Sequence, residues 1–171
     1  TMERIKELIS TYSDFPKKGV NFKDVLGIVQ EPEAFKELVL KMSSSQIINN
    51  SEVIVAIDAR GFVFGSAIAL LASKPMIVAR KPNKLPGEVV GEEYILEYGT
   101  NSLFIQRKLL NKYDSFAIVD DLLATGGTAA CVAKILTKHR KKVEGLIVVV
   151  ELKDIKRKIK LNFPVESMIC Y

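Results

Sequence analysis

Val119-Asp120-Asp121-Leu122-Leu123-Ala124-Thr125-Gly126-Gly127-Thr128 is the stretch whose reading decides the fold. Before it, Ser115 to Val119 is a short apolar run of the kind a strand buried on both faces requires. After it, Ala129 to Arg140 sets Val132, Ile135 and Leu136 at helical spacing, so that segment reads as a helix. The stretch itself is then a strand-to-helix turn at the carboxyl end of a parallel strand, where open α/β sheets bind ligands.

The residue types say what such a turn could hold. Two adjacent carboxylates, Asp120 and Asp121, leave the strand, and Thr125 and Thr128 bracket two glycines. Glycine lets the backbone turn its N–H groups inward and approach a ligand closely. The threonine hydroxyls add donors, and the start of the following helix favours an anion. A phosphate suits the turn and a vicinal diol suits the acids, so a sugar phosphate satisfies both. A bare Thr-Gly-Gly-Thr would be no more than a capped turn; the apolar strand and acidic pair attached to it make the binding reading the stronger one. The Gly-x-x-x-x-Gly-Lys-Ser/Thr pattern of nucleoside triphosphatases and the Gly-x-Gly-x-x-Gly pattern are both absent.

Composition sets the frame. The 171 residues predict one α/β domain with a substantial core, and 48 % apolar with 26 % charged residues excludes a disordered chain. A net charge of +5 is compatible with nucleic acid and equally with a polyanionic small molecule. No basic stripe interleaved with aromatics accompanies it, so no nucleic-acid partner is expected. Cys131 and Cys170 show no metal-ligand spacing and predict free thiols in a reducing cytoplasm. No apolar run approaches the ~18 residues of a membrane span, so no membrane partner is expected.

Along the chain, Met2 to Tyr12 reads as a short amphipathic helix, with Ile5, Leu8 and Ile9 inward. Asp14 to Asp24 is an irregular, Pro- and Gly-punctuated loop holding Phe15 and Phe22, which either anchor it to the core or offer a platform for a flat heterocycle. A helix opens at Glu31-Pro32 and runs to about Met42. Glu52 to Ile57 is a second buried strand, leading through Asp58-Ala59-Arg60-Gly61-Phe62 into a helix from Val63 to Ala72. Pro75 to Ala79 is a third strand. The long charged segment from Arg80 to Gly99 is either a solvated β-excursion or a lid that excludes water, and Ser102 to Gln106 would let it fold back as a hairpin. Lys138-His139-Arg140-Lys141-Lys142 reads as a solvated helix end favoured by the dipole, with no catalytic role for the histidine. Gly145 to Val150 and Val165 to Tyr171 are the last strands. Strands alternating with helices argue for a mostly parallel central sheet flanked by helices.

Four of these motifs, in this order, resemble those of the type I phosphoribosyltransferases, and their details resemble the adenine phosphoribosyltransferases. Leu122 to Thr128 is similar to the signature for 5-phosphoribosyl-1-pyrophosphate (PRPP). Phe15-Pro16-Lys17-Lys18-Gly19-Val20-Asn21-Phe22-Lys23-Asp24 resembles the base-binding hood loop, with Lys18 where a second proline is usual. Ile57 to Gly65 resembles the pyrophosphate turn, and Arg80 to Gly87 with Leu96 to Thr100 resembles the flexible loop. The resemblance implies a hood from about 12–28 and 151–171 and a flexible lid at about 80–100. It implies transfer of a phosphoribosyl group from PRPP to adenine, giving AMP and pyrophosphate in purine salvage, and a homodimer. A transferase for another base, or a phosphoribosyl-binding regulator without turnover, are the alternatives.

The resemblance also implies roles. Asp120, Asp121, Ala124, Thr125, Gly126, Gly127 and Thr128 would bind PRPP, with Asp120 and Asp121 catalytic. Ala59, Arg60, Arg80, Lys81, Lys84 and Tyr98 would bind pyrophosphate, with Arg80 reaching the neighbouring subunit. Asn21 and Lys23, through their backbone, and Phe22 and Leu152 would bind adenine. Glu97 would be the general acid. Mg²⁺ is the implied cofactor, held mainly by substrate and water rather than by side chains. A cis peptide bond is expected between Asp58 and Ala59.

Overall fold

A computed structural model of the chain describes residues 1–96 and 99–171. Its first half holds α1 (Met2–Lys6), β1 (Ser10–Tyr12), β2 (Phe22–Asp24), a 3-10 turn (Val25–Gln30), α2 (Pro32–Ser43), α3 (Gln46–Asn49), β3 (Val53–Ile57), α4 (Gly61–Ala72) and β4 (Met76–Ala79). The second half holds β5 (Val89–Leu96), β6 (Gly99–Gln106), α5 (Arg107–Lys112), β7 (Ser115–Leu123), α6 (Gly127–Lys138), β8 (Lys142–Glu151) and β9 (Val165–Cys170).

Five strands form one sheet in the order β4-β3-β7-β8-β9, and every pair in it is parallel. The chain winds outward from β3 to β4 in one direction and from β7 to β8 and β9 in the other. β3 and β7 are therefore neighbours whose exits diverge, which opens a crevice at their carboxyl ends. Both candidate turns leave from this place.

The sheet is covered on both faces, which explains the unbroken apolar runs in the sequence. Side chains alternate along β7: Ala117 and Val119 pack with Leu38 and Met42 of α2 and Phe64 and Ile68 of α4. Phe116 and Ile118 pack on the opposite side with Val132, Ile135 and Leu136 of α6 and with Val90, Leu103 and Ile105 of the β5–β6 pair. Each such buried side chain is worth roughly 1.5–3 kcal/mol.

The structure departs from the sequence reading at several boundaries. The first helix ends at Lys6 instead of running to Tyr12, because Ser10–Tyr12 pairs antiparallel with Phe22–Asp24. That ladder gives the supposed irregular loop a regular end. β7 continues past Val119 to Leu123, since β8 offers partners as far as Glu151. Asp120 and Asp121 therefore lie on the strand, ahead of the turn. The excursion after β4 does fold back: β5 and β6 pair antiparallel from Val89↔Gln106 to Leu96↔Gly99. The basic cluster is solvated as read, with Lys138 and Lys142 exposed, and it is also ion-paired: Lys138 lies 2.5 Å from Glu92 of β5, Lys141 3.5 Å from Asp114 and Lys142 3.2 Å from Glu144. His139 Nδ1 lies 2.8 Å from the Ile135 carbonyl, a structural contact.

Candidate active site

The turn after β7 is built as its glycines predict. Gly126 sits at φ +90° in the left-handed region and caps α6, which begins at Gly127. Residues with a β-carbon rarely adopt that conformation. The first intrahelical hydrogen bond runs from Ala130 N–H to the Gly126 carbonyl at 2.9 Å. The preceding amides of the first turn have no intrahelical acceptor, so they remain available to an anion.

Immediately upstream, Asp120 and Asp121 are 8 % and 5 % exposed, not the solvated acids of an ordinary turn. Their partners differ. Arg60 Nε donates to Asp121 Oδ2 at 2.7 Å. Asp120 Oδ1 accepts from the Asp121 N–H at 2.8 Å, and Thr128 Oγ1 lies 3.5 Å from Asp120 Oδ2. Burial, followed by the neighbouring Asp121 charge, pushes the Asp120 carboxyl well above the usual carboxylate range.

The turn after β3 is made differently. The Asp58–Ala59 peptide bond is cis, as the resemblance implied, and Phe15–Pro16 is cis as well. Arg60 extends from this turn toward β7, and its guanidinium carbon lies 4.9 Å from the centre of the Phe22 ring. It thus joins the hood loop to Asp121. Gly61 allows the two turns to meet: a β-carbon there would stand 3.1 Å from Asp120 Oδ1 and 3.2 Å from the Val119 carbonyl oxygen.

Between the turns is a cavity of about 480 Å³. Of the residues singled out from the sequence, Ala59, Arg60, Lys81, Asp120, Asp121, Ala124, Thr125, Gly126, Gly127 and Thr128 line it. Lys84 is exposed and stands outside the lining. Arg80 is turned to the structure instead, with Nε 3.1 Å from Asp58 Oδ2 and its guanidinium carbon 5.6 Å from the Phe62 ring centre. None of the expected base-binding residues, Asn21, Phe22, Lys23 and Leu152, is in the lining of this cavity; Phe22 adjoins it through Arg60 and Leu152 through Leu123. Phe22 meets Phe15 edge-on at 5.2 Å, and Phe15 is 52 % exposed, so the pair is not a plain core anchor. Lys23 donates to Thr11 Oγ1 at 2.8 Å and lies over the Tyr171 ring, which directs its side chain into the hood. Asn21 is exposed, and Leu152 is buried with its N–H donating to the Leu123 carbonyl at 2.9 Å. Glu97 and Tyr98 lie outside the described residues.

Sequence reasoning missed Tyr94 and Ile95, which also line the cavity. Tyr94 was legible only as one position of an alternating run. Its ring packs beside Gly127, where a β-carbon would lie in ordinary contact, 3.7 Å from Tyr94 Cδ2. Burial, with smaller contributions from Cys131, Asp120 and Asp58, raises the Tyr94 phenol, so it stays a hydrogen-bond donor. Among the described residues no group of three or more His, Cys, Asp or Glu could hold a metal ion, and no helix is long and apolar enough to cross a membrane. Cys131 and Cys170 are both free, Cys131 buried and Cys170 exposed.

A cavity with a buried acid pair, an amide-lined helix start and two cations, at the switch point of a parallel sheet, is arranged for a phosphorylated sugar. Comparison with known proteins agrees. Residues 28–168 match the model of the phosphoribosyl transferase domain. An adenine phosphoribosyltransferase of Prochlorococcus marinus is 67 % identical over 168 residues, covering 98 % of each chain. The crystal structure of adenine phosphoribosyltransferase from Thermoanaerobacter pseudethanolicus superposes with a TM-score of 0.92 at 36 % identity, covering 100 % of both chains. The Saccharomyces cerevisiae enzyme, solved with an imino-altritol bisphosphate and adenine, gives 0.88 at 32 % identity, covering 98 % of this chain and 97 % of that one. The chain belongs to the phosphoribosyltransferase family, in its adenine phosphoribosyltransferase branch.

Proposed function

We propose that this chain joins adenine to the phosphoribosyl group of PRPP, releasing pyrophosphate and forming AMP. The observation that carries the reading is the junction of two chemistries in one cavity. A buried carboxylate pair ends one central strand, and a helix start with free amides follows it within a few residues. Full-length likeness to adenine phosphoribosyltransferases supports the choice of base.

Breaking the bond between ribose C1′ and pyrophosphate builds positive charge on the sugar and negative charge on the leaving group. The amides and hydroxyls of Thr125 to Thr128 hold the 5′-phosphate, which stays put. Asp120 and Asp121 accept from the ribose hydroxyls and lie near the developing cation. The positive sugar favours the ionised form of Asp120, opposing the burial that raises its pKa when the site is free. Arg60 and Lys81 face the departing pyrophosphate, and Lys84 joins them when the lid closes. Phe22 and Leu152 flank the base. Glu97 donates a proton to its imidazole side, and Tyr98 binds the pyrophosphate. A base nitrogen then bonds to C1′ as the C1′–oxygen bond to pyrophosphate breaks; its N–H proton passes to the departing pyrophosphate, and the proton lent by Glu97 returns to the carboxylate.

Hard oxygen donors suit Mg²⁺, and Asp120 and Asp121, which line the cavity, would supply acceptors for the water shell of an ion carried in on PRPP. When bound, that ion neutralises charge on the pyrophosphate. Two free cysteines support a reducing cytoplasm as the setting. Leu70, 84 % exposed, and Leu71 on α4 offer apolar surface for a homodimer. Arg80 can reach a second subunit only by releasing Asp58. A pyrophosphate-release assay with each free base, with and without Mg²⁺, tests the proposal. Turnover with adenine and Mg²⁺ is expected. Binding of PRPP with no turnover on any base would make the chain a regulator instead.

A further inference from the structure

We infer that residues 157–161 form a strap that aims the phosphate-binding turn from behind, with Arg157 as its fastening and a positioning residue for the phosphoryl group. This rests on the transferase reading above.

The strap touches the turn at its critical residue. Lys158 N–H donates to the Thr125 carbonyl at 3.2 Å. A trans peptide holds its C=O and N–H on opposite sides, and the Thr125–Gly126 bond is not among the cis bonds. The hydrogen bond that draws the Thr125 oxygen toward the strap therefore turns the Gly126 N–H the other way. That way lies the cavity, which Thr125, Gly126 and Gly127 line and residues 157–161 do not. The strap also fills the space behind Gly126. A β-carbon there would stand 3.5 Å from Arg157 Cγ, 3.6 Å from the Ile159 oxygen and 3.6 Å from Leu161 Cδ2.

The strap is fastened to the strands that carry the turn. Arg157 Nη2 donates to Glu151 Oε2 at 2.8 Å, and Ser167 Oγ donates to Glu151 Oε1 at 2.9 Å. Glu151 ends β8 opposite Leu123, the last residue of β7. Its side chain is 15 % exposed and that of Arg157 34 %, so solvent screens the pair less than a surface one. One ion pair thus sets the height of the strap over the turn, and through Lys158 the tilt of the peptide that faces the phosphate. A charged acceptor makes such an amide sensitive to misorientation.

The test compares AMP, which carries the 5′-phosphate, with adenine, which lacks it. Calorimetric titration of Arg157→Ala should show AMP binding weakened about tenfold and adenine binding within about twofold of the unaltered protein. In turnover, KM for PRPP should rise about tenfold while kcat stays within about twofold. Arg157→Lys, which restores a cation to Glu151, should recover most of the AMP affinity. Glu151→Gln is the second variant, keeping the acceptors without the charge, and should weaken AMP in the same selective way. Full AMP affinity in both Arg157→Ala and Glu151→Gln would overturn the inference. So would an equal loss for AMP and adenine, which would make the strap a general support of the hood. Failure of the unaltered protein to bind AMP would instead bring down the transferase reading, and the strap with it.

Discussion

The two strand-to-helix turns at the centre of the sheet start from the same plan. Each leaves one of two neighbouring parallel strands, with an aspartate at or near the strand's end, and enters a 12-residue helix. Their means of meeting an anion differ. The turn after β7 works through its backbone, with Gly126 at φ +90° and the amides of the α6 start exposed to the cavity. The turn after β3 works through a side chain: its cap, Arg60, has ordinary helical dihedrals, φ −67° and ψ −22°, and projects a full charge. On the proposed reaction this division has a physical reason. The 5′-phosphate keeps its charge throughout, and fixed amide dipoles suffice for it. The pyrophosphate gains charge as it departs, and a guanidinium aimed at it stabilises the transition state more than the ground state.

Breaking both acids at once should have the largest effect. Asp120→Asn with Asp121→Asn is expected to lower kcat/KM by about a thousandfold, since both charges near the developing cation are lost. Activity within a few-fold of the unaltered protein would remove the acids from the mechanism. Next comes Gly126→Ala, which forces a β-carbon into the left-handed region at about 1–2 kcal/mol. AMP affinity should fall about tenfold or more, with adenine binding unaffected. Arg60→Lys gives the complementary result. Lysine cannot both pair with Asp121 and lie flat against Phe22, so kcat/KM with PRPP should drop about tenfold. AMP has no pyrophosphate, so its affinity should stay within about twofold. If Arg60→Lys weakens AMP as much as Gly126→Ala does, the proposed division between the turns is wrong.

The smallest effect is on stability. Asp120 has a raised pKa in the folded chain, so the unfolded chain loses that proton first as pH rises. Its contribution to stability therefore declines from the ordinary carboxylate range, ~3.9, upward through the raised folded value, and stays low beyond it. Asp120→Asn removes this penalty. Thermal melts should show the variant a few degrees more stable at about pH 8, with the gain vanishing at about pH 3, where both chains carry the proton. No gain at about pH 8 would mean that the buried acid is compensated in the folded protein.

Much of this was legible in the sequence because the central features are local. Apolar runs bounded by Gly- and acid-rich turns mark β3, β7 and β8, and the left-handed Gly126 follows from a glycine pair before a helix. The rest depended on contacts between distant segments. Ser10–Tyr12 reads as the tail of a helix until Phe22–Asp24 is found opposite it. The extension of β7 through both aspartates needs Val148 to Glu151 alongside. Tyr94 looks like any residue of an alternating strand until the hairpin folds it onto Gly127, and nothing in a run of lysines announces that Lys138 pairs with Glu92. Arg80 is similar, since its pairing with Asp58 is set by β4 lying beside β3.

The most direct measurement is a crystal structure of the protein with AMP bound. The phosphate oxygens should lie within hydrogen-bond reach of the amides between Thr125 and Thr128, with the ribose hydroxyls on Asp120 and Asp121. AMP seated elsewhere, with Asp121 still closed on Arg60 and the Gly126 turn holding nothing, would contradict the account.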